Sequence, residues 1–309
     1  MPELLAAVEA RLAELARGHG EVLAEHASAT IAAGGKRLRP LLVLLAAGPP
    51  VDDAVEVVRA AVAVELVHSA TLVHDDVLDA AAMRRGRPTV WAAAGRDMAI
   101  AVGDLLFSRA FAELALTRSL AAVRTLSRAS SALAEGELLQ REDAWNAGVS
   151  VERYLRRCEL KTAALFEAAC ELGAQRGGTG AEHGLRAFGR RIGLAFQLLD
   201  DVLDVSGPPE RTGKPRGTDL LDGTVTLPLI LARERDPALR EIDLRGIRDP
   251  EAAAEVCDRI AATGVLEEAR RRALAVVAEA KTALPDGRLG DGQRAALELV
   301  ADSVVDRYS

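Results

Sequence analysis

Two copies of the sequence DDVLD, at residues 75–79 and 200–204, are the residues of this chain best suited to chemistry. In each copy the first and last aspartates are four residues apart, so on a helix both carboxylates project from one face. Like charges at this spacing repel, and carboxylates that close a helix oppose its dipole. A hard cation between the clusters would relieve both costs. Carboxylate pairs that leave room for water and a substrate phosphate suit Mg²⁺.

The alternative is that each motif is only a charged, solvated helix end, which would be a common explanation for one isolated DDxxD sequence. Here the motif occurs twice in identical form, and each copy closes an apolar helical stretch. Carboxylates beside an apolar cavity are costly unless they are neutralised. We therefore favour a metal site.

Carboxylates with Mg²⁺ imply a phosphate ligand, and basic residues that could bind phosphate occur at four places. They are the turn GGKRLRP at 34–40, the segment MRRGRP at 83–88, Lys161 ahead of an apolar stretch, and Lys214 in a Gly/Pro-rich segment. A charged loop or an exposed helix end would explain any one of the loop segments alone. Lys161 is harder to explain in that way, because a lone lysine leading an apolar stretch needs a partner.

The elements that position these residues are predicted to be helices almost throughout. Apolar residues recur at spacings of three and four in a chain rich in Ala, Leu, Arg and Glu. The predicted fold is therefore all-α, a single large helical bundle over residues 1–309. The predicted helices are 2–17, 21–33, 37–47, 52–83, 97–116, 119–145, 150–173, 181–205, 219–233, 250–262, 266–283 and 291–307.

Composition excludes several classes of protein. The chain has 309 residues, with 39 Lys and Arg against 46 Asp and Glu, so its net charge of −7 argues against nucleic acid as a partner. Three cysteines without a CxxC motif give neither a disulfide framework nor a zinc ribbon, which fits a cytoplasmic location. The early apolar run at 41–48 is too short to cross a membrane, so we expect no integral membrane segment.

These motifs, taken together, resemble the all-trans polyprenyl diphosphate synthases, the polyprenyl synthetase family of head-to-tail prenyltransferases. The resemblance covers residues 30 to 230 in the family's order. Its motifs are GGKRLRP at 34–40, HSATLVHDDVLD and RRGRPT across 68–89, GD at 103–104, GELLQ at 136–140, KTAALF at 161–166, and FQLLDDVLD with GKPRGTDL across 196–220.

The resemblance implies an isoprenoid synthase fold with a central active-site cavity, usually as a homodimer, and elongation of an allylic diphosphate by isopentenyl diphosphate. It implies Mg²⁺, three ions per active site, held by Asp75, Asp76, Asp79, Asp200, Asp201 and Asp204. Residues implied to contact the allylic substrate are Arg84, Lys161, Gln197 and Lys214. Those implied to hold isopentenyl diphosphate are Lys36, Arg39, His68 and Arg85. Lys161, Thr162 and Gln197 would also line the place where the allylic cation forms.

One position departs from the family's pattern. Thr224 stands in the segment DGTVT where the family often has a lysine. One positive charge expected near the allylic diphosphate is therefore missing, which bears on the affinity for that substrate and not on the class of reaction.

Product length should depend on the residues one turn before Asp75. Ala70 and Thr71 are small, and they would lie about 6–8 Å below the metal end of the helix. This favours a long product, C30 or above, and predicts that Ala70→Phe shortens it. If Met98 or Phe107 instead closes the bottom (the floor) of the cavity that holds the growing product, the product would be C15 or C20.

Two further functions stay open at this point. A class I terpene cyclase shares the first acidic motif, but it would need no isopentenyl site. A non-catalytic subunit of a heteromeric synthase would be expected to have lost acidic residues, whereas all six aspartates are present.

Overall fold

The computed structural model describes residues 1–17, 21–32, 35, 37–49, 54–178, 180–207 and 215–306. These residues are almost entirely helical, and the sheet they contain is one short hairpin. The helices are α1 (Pro2–Ala16), α2 (Glu21–Ala32), α3 (Leu38–Ala47), α4 (Ala54–Leu78), α5 (Val90–Ala94), α6 (Arg96–Ala115), α7 (Leu120–Asp143), α8 (Val151–Cys158), α9 (Ala164–Gly177), α10 (Glu182–Ser206), α11 (Thr218–Leu221), α12 (Leu227–Arg235), α13 (Pro237–Arg240), α14 (Pro250–Ala262), α15 (Val265–Ala283) and α16 (Asp291–Asp306). A π-helical turn (Glu159–Ala163), a 3₁₀ turn (Leu244–Gly246) and the strands β1 (Met83–Arg84) and β2 (Arg87–Pro88) complete the set.

The all-α prediction is confirmed, and the exceptions have local causes. The helix predicted over 52–83 ends at Leu78, because Ala80 adopts a left-handed conformation with φ 49° and the chain then turns into the hairpin. The helix predicted over 219–233 is two helices, separated by Gly223 with φ 71° and by Pro228 at the start of α12. Short α5 was not predicted; Thr89 caps it by accepting a hydrogen bond from the Ala92 amide at 3.1 Å.

The chain groups into two compact units. Unit 1 consists of Met1–Ser130, Leu165–Gly189 and Pro285–Leu297, and unit 2 of Ser131–Ala164, Arg190–Leu284 and Glu298–Ser309. Each unit is described separately below. That the whole chain forms one domain stays a prediction.

Unit 1 is built around α4. This helix packs against α1, α3, α5 and α6, and every residue from Ala60 to Val67 is buried. Its three charged residues before Val67 are all paired inside the unit: Arg59 donates to Glu113 at 2.5 Å, Arg37 donates to Glu65 at 2.7 Å, and Arg176 donates to Glu56. A helix that is apolar on nearly all faces is expected at the centre of a bundle, and pairing removes the cost of its buried charges.

Among the described residues, α4 is also the one helix whose length and apolar composition would allow it to cross a membrane. Two-thirds of the residues in its apolar window (67%) are buried in the protein. This burial accounts for its composition, because a core helix must be apolar on the faces that other helices cover.

Unit 2 holds α8, α11, α12, α14 and α15 around a core to which α10 contributes its C-terminal half. Arg157 is buried on α8, and it donates a hydrogen bond to the carbonyl oxygen of Val225. The Trp145 amide donates to the Gly223 carbonyl at 2.8 Å. These two bonds attach the loop between α11 and α12, which carries Thr224, to α8 and to the turn that follows α7.

Candidate active site

The first acidic motif closes α4, as predicted, with its three aspartates in different surroundings. Asp75 and Asp79 are half-buried and lie one helical turn apart on one face. Asp76 is only 5% exposed and accepts a hydrogen bond from Arg84 Nε to its Oδ1 at 2.7 Å. The outer two carboxylates are therefore more exposed than the middle one, which binds a neighbouring arginine.

The hairpin that follows sends its two adjacent arginines to different places. Arg84 lies on β1 and reaches back to Asp76. Arg85 adopts a left-handed conformation with φ 52°, and Gly86 next to it has φ 73°. The Arg85 guanidinium lies against Gly35, where an added Cβ would be 3.1 Å from Arg85 Nη1. The hairpin therefore directs Arg84 to the first acidic motif and Arg85 to Gly35.

Arg39, Arg85 and His68 form a cationic cluster in unit 1. The Arg39 guanidinium lies 4.5 Å from the centroid of the buried Phe166 ring, and its Nε is buried without a hydrogen-bond partner among the described residues. Burial, together with the positive charge of Arg85, lowers the pKa of Arg39 to about 10, although the negative charge of Glu65 acts in the opposite direction. Burial and the arginines, Arg39 first among them, lower the pKa of His68 well below its ordinary value. The cluster therefore contains buried positive charge and a neutral imidazole, a setting that favours an incoming anion.

The second acidic motif closes α10 in unit 2, and its aspartates divide in the same way. Asp200 and Asp204 are half-buried, whereas Asp201 is 2% exposed. The Tyr154 hydroxyl donates to Asp201 Oδ2 at 2.5 Å, and Gln197 Nε2 donates to Oδ1 at 2.7 Å. Burial and the nearby Asp219 raise the pKa of Asp201 to about 8, and these two donors oppose the shift.

Lys161 and Thr162 lie on the π-helical turn between α8 and α9. Such single turns inside α-helices are frequent at functional sites, because they redirect side chains that a regular helix would space evenly. Lys161 Nζ donates to Glu137 on α7, and Thr162 Oγ1 donates to Gln197 Oε1 at 2.7 Å. Although its burial acts in the opposite direction, Lys161 and Arg141 hold the pKa of Glu137 below its ordinary value.

Gly136 allows α7 to lie directly against the π-helical turn. A Cβ at this position would be 2.5 Å from the Lys161 backbone nitrogen and 2.9 Å from Lys161 Cα. Because both atoms belong to the backbone, we expect Gly136→Ala to cost about 1–3 kcal/mol of unfolding free energy and to displace Lys161. Urea unfolding and steady-state kinetics measure the two effects. Gly292→Ala is the matched control, because Gly292 is also helical and an added Cβ there has nothing within 4 Å. Equal behaviour of the two variants would contradict the close approach.

The donor set at each acidic motif fits Mg²⁺. Among the described residues, no group of three or more His, Cys, Asp or Glu side chains is arranged to hold a metal ion. Each motif instead offers a pair of half-buried carboxylates one turn apart. Mg²⁺ is usually bound by one or two carboxylates, with water and phosphate oxygens in the remaining positions. The residues present therefore fit an ion that binds together with a diphosphate.

Of the predicted site residues, unit 1 brings together Arg39, His68, Arg85 and the first motif with Arg84. Unit 2 brings together Lys161, Thr162, Gln197 and the second motif. Lys36 and Lys214 lie outside the described residues. The sequence analysis assigned no role to Glu137, Tyr154 or Phe166. The GELLQ and KTAALF motifs, which contain Glu137 and Phe166, could have pointed to two of them. For Tyr154 the available indication was the rarity of aromatic residues, which form 3% of the chain.

Curated relatives of this chain are prenyl diphosphate synthases. Heptaprenyl diphosphate synthase component 2 of Geobacillus stearothermophilus is 42% identical over 230 residues, which cover 74% of this chain and 72% of that protein. Geranylgeranyl diphosphate synthase of Methanosarcina mazei is 37% identical over 282 residues, covering 89% and 86%. Octaprenyl diphosphate synthase of Escherichia coli K12 is 35% identical over 280 residues, covering 87% and 85%.

Solved structures agree over the whole chain. Polyprenyl synthase from Caulobacter crescentus CB15, complexed with calcium and isoprenyl diphosphate, has a TM-score of 0.92 and 36% identity, covering 100% of this chain and 96% of that one. Decaprenyl diphosphate synthase from Rhodobacter capsulatus has a TM-score of 0.89 and 36% identity, covering 100% and 97%. The sequence profile described as Polyprenyl synthetase matches residues 20–262. The chain therefore belongs to the polyprenyl synthetase family of prenyltransferases, and the predicted family, isoprenoid synthase fold and enzyme class are confirmed.

Proposed function

We propose that this chain condenses isopentenyl diphosphate with an allylic diphosphate, in a Mg²⁺-dependent reaction that yields a long-chain trans-polyprenyl diphosphate. The observation that carries the proposal is the cationic cluster of Arg39, Arg85 and His68. Its histidine lies on α4, seven residues before Asp75. A cyclase acting on one allylic diphosphate has no use for a second diphosphate site. A synthase needs one, and we assign isopentenyl diphosphate to this cluster, with Lys36 as a further contact.

For the metal we propose a narrower ligand set than the sequence analysis expected. Asp75, Asp79, Asp200 and Asp204 are the proposed ligands. Asp76 and Asp201 are buried, whereas the four proposed ligands are half-buried, so we propose that these two support the site without contacting the ion. Asp76 accepts a hydrogen bond from Arg84, and Asp201 accepts from Tyr154 and Gln197. Bound Mg²⁺ would neutralise the negative charge that develops on the departing diphosphate. The calcium complex of the Caulobacter enzyme supports a divalent cation in a protein of this fold.

The allylic substrate is assigned to Arg84, Lys161, Thr162, Gln197 and Lys214. When the substrate binds, the Lys161 ammonium group would leave Glu137 and pair with the diphosphate, since a diphosphate carries more negative charge than one carboxylate. The oxygens of Thr162 and Gln197 would face the carbon from which the diphosphate departs. An oriented oxygen dipole stabilises positive charge at the moment it forms, so no nucleophilic side chain is needed.

Omitting one substrate at a time tests the reaction. The purified chain, Mg²⁺ and an allylic diphosphate should release no diphosphate, and addition of isopentenyl diphosphate should start turnover. Release of diphosphate from the allylic substrate alone, with a hydrocarbon or alcohol product, would identify a cyclase.

Product length is proposed from the turn of α4 below Asp75. Ala70 is fully buried, while Thr71 is half-buried and its hydroxyl donates to the His68 carbonyl at 2.8 Å. Phe107, the alternative floor, stacks on His74 at 6.0 Å between ring centroids, one turn from Ala70 on the same face of α4. The named relatives range from geranylgeranyl to octaprenyl synthases, so the small residues at 70 and 71 decide our assignment of C30 or above.

Ala70→Phe and Thr71→Phe are therefore expected to shorten the product. A phenyl ring adds about 6 Å of side chain in the path of the growing tail, roughly one isoprene unit or more. Chromatography of dephosphorylated products measures the shift. Phe107→Ala is the companion variant, and it should leave the length unchanged. A product lengthened by Phe107→Ala and unaffected by both other variants would place the floor at Phe107.

We propose that the active form is a homodimer in the cytoplasm. The three cysteines are free and buried, as is common in a reducing compartment. The relative named component 2 supports a second candidate, a catalytic chain that needs a different partner chain. Light scattering of the purified chain, followed by assay of the same sample, distinguishes them. An active dimer supports the homodimer, and an inactive chain rescued by a second protein supports the two-component enzyme.

A further inference from the structure

Three consecutive hydrogen bonds in unit 2 connect a buried tyrosine to Thr162. The Tyr154 hydroxyl donates to Asp201 Oδ2 at 2.5 Å, and Gln197 Nε2 donates to Asp201 Oδ1 at 2.7 Å. Thr162 Oγ1 then donates to Gln197 Oε1 at 2.7 Å. Tyr154 is 0% exposed, so it cannot contact a substrate directly.

We propose that Tyr154 is a positioning residue for prenyl transfer, which acts through Asp201 to hold the Gln197 amide with its oxygen toward Thr162. The inference rests on the proposed roles of Thr162 and Gln197 beside the allylic cation. An amide can turn by 180°, which exchanges its oxygen with its NH₂ group. Only the orientation with the oxygen beside Thr162 presents a negative dipole to a cation. The reversed amide would present two N–H donors and oppose the positive charge.

The elements explain how the orientation is fixed. Gln197 and Asp201 are four residues apart on α10, so their side chains meet on one face of the helix. Tyr154 is on α8, seven residues before Lys161, and reaches the same carboxyl group from the opposite oxygen. With Tyr154 on Oδ2, the remaining oxygen accepts from the Gln197 amide. Without it the carboxyl group can rotate, and the Gln197 NH₂ loses a fixed acceptor.

The hydroxyl is the part of Tyr154 that the proposal requires. Burial and the Asp201 carboxyl group raise the pKa of Tyr154 well above its ordinary value, so the phenol keeps its proton and is a donor. A ring that served only to fill the core would need no such partner. Tyr154→Phe therefore separates the two roles, because it preserves the ring and removes only the donor.

We expect Tyr154→Phe to lower kcat for prenyl transfer about tenfold, with the KM values of both substrates within about twofold of wild type. An interaction realised only when the cation forms changes kcat and leaves substrate binding intact. Thr125→Val is the matched control: it also removes a buried hydroxyl that donates to a carboxylate, at 2.9 Å to Glu171 in unit 1. It should alter the melting temperature without altering kcat.

A double-mutant cycle separates positioning from general destabilisation. Gln197→Met removes the amide and keeps the side-chain length, with an expected loss in kcat of about a hundredfold. Because Tyr154 acts through that amide, adding Tyr154→Phe to Gln197→Met should cause no further loss. Losses that multiply in the double variant, or wild-type kcat in Tyr154→Phe, would overturn the proposal while the proposed function stands. Absence of prenyl transfer in the wild-type chain would overturn both.

If Tyr154→Phe does not fold, Asp201→Leu provides the same test. Leucine is close to aspartate in size and has no hydrogen-bonding atom, so it removes the group through which Tyr154 would act on Gln197. We expect kcat to fall at least tenfold, with the Mg²⁺ concentration for half-maximal activity unchanged. Unchanged kcat would overturn the proposal, and so would a kcat restored by higher Mg²⁺.

Discussion

Asp75→Asn should reduce kcat for prenyl transfer by about a thousandfold. Asp75 is half-buried at the end of α4 and shares a helical face with Asp79, so it is one of the two carboxylates that the first motif offers to a cation. An asparagine there keeps the size of the side chain and removes the charge. A metal contribution worth several kcal/mol to the departing diphosphate would then be largely lost.

The measurement is kcat over a range of Mg²⁺ concentrations. The variant should need more Mg²⁺ for half-maximal rate and should not regain wild-type kcat at saturation. Asp97→Asn is the matched control. Asp97 is exposed in the first turn of α6, so this substitution makes the same chemical change outside both motifs. Kinetics of Asp75→Asn within about threefold of the control would contradict a metal role for the first motif.

Arg39→Met should raise the KM for isopentenyl diphosphate about a hundredfold and leave the KM for the allylic substrate nearly unchanged. The Arg39 charge is desolvated, stacked on Phe166 and not neutralised by a hydrogen-bonded carboxylate among the described residues. A charge in this state binds an arriving diphosphate more strongly than an exposed, ion-paired arginine would.

Steady-state kinetics with each substrate varied in turn measures the effect. Arg128→Met serves as the control, because Arg128 is more than half exposed and already paired with Glu171 in the same unit. An equal rise in both KM values would show a general change in the protein, and an unchanged KM for isopentenyl diphosphate would contradict the assignment of its site.

Much of this arrangement could be predicted from the sequence because the signals were local. Apolar spacing located most of the helices, and the two DDVLD motifs were placed at helix ends, where α4 and the second half of α10 carry them. The separation of Arg84 from Arg85 agrees with the different substrates implied for them, because a tight hairpin turns two adjacent residues in different directions.

The features that were missed depend on contacts distant in the sequence. That all six aspartates hold Mg²⁺ stays a prediction, but the sequence did not indicate that Asp76 and Asp201 are buried and accept hydrogen bonds from Arg84 and Gln197. The π-helical turn at Glu159–Ala163 was not predicted either, and neither was the close approach of α7 to it at Gly136. From the sequence, Tyr154 likewise could not be distinguished from an aromatic residue of the core. Its role depends on the hydrogen bond that its hydroxyl donates to Asp201, 47 residues away.

The most direct test of the proposed function is a product assay with the purified chain alone. The chain would be incubated with Mg²⁺, labelled isopentenyl diphosphate and, in turn, C5, C10, C15 and C20 allylic diphosphates, and the products would be dephosphorylated and sized by chromatography. We predict a series of products that ends at C30 or longer and disappears when Mg²⁺ is chelated. Binding of both diphosphates without any incorporation of label would contradict the proposed function.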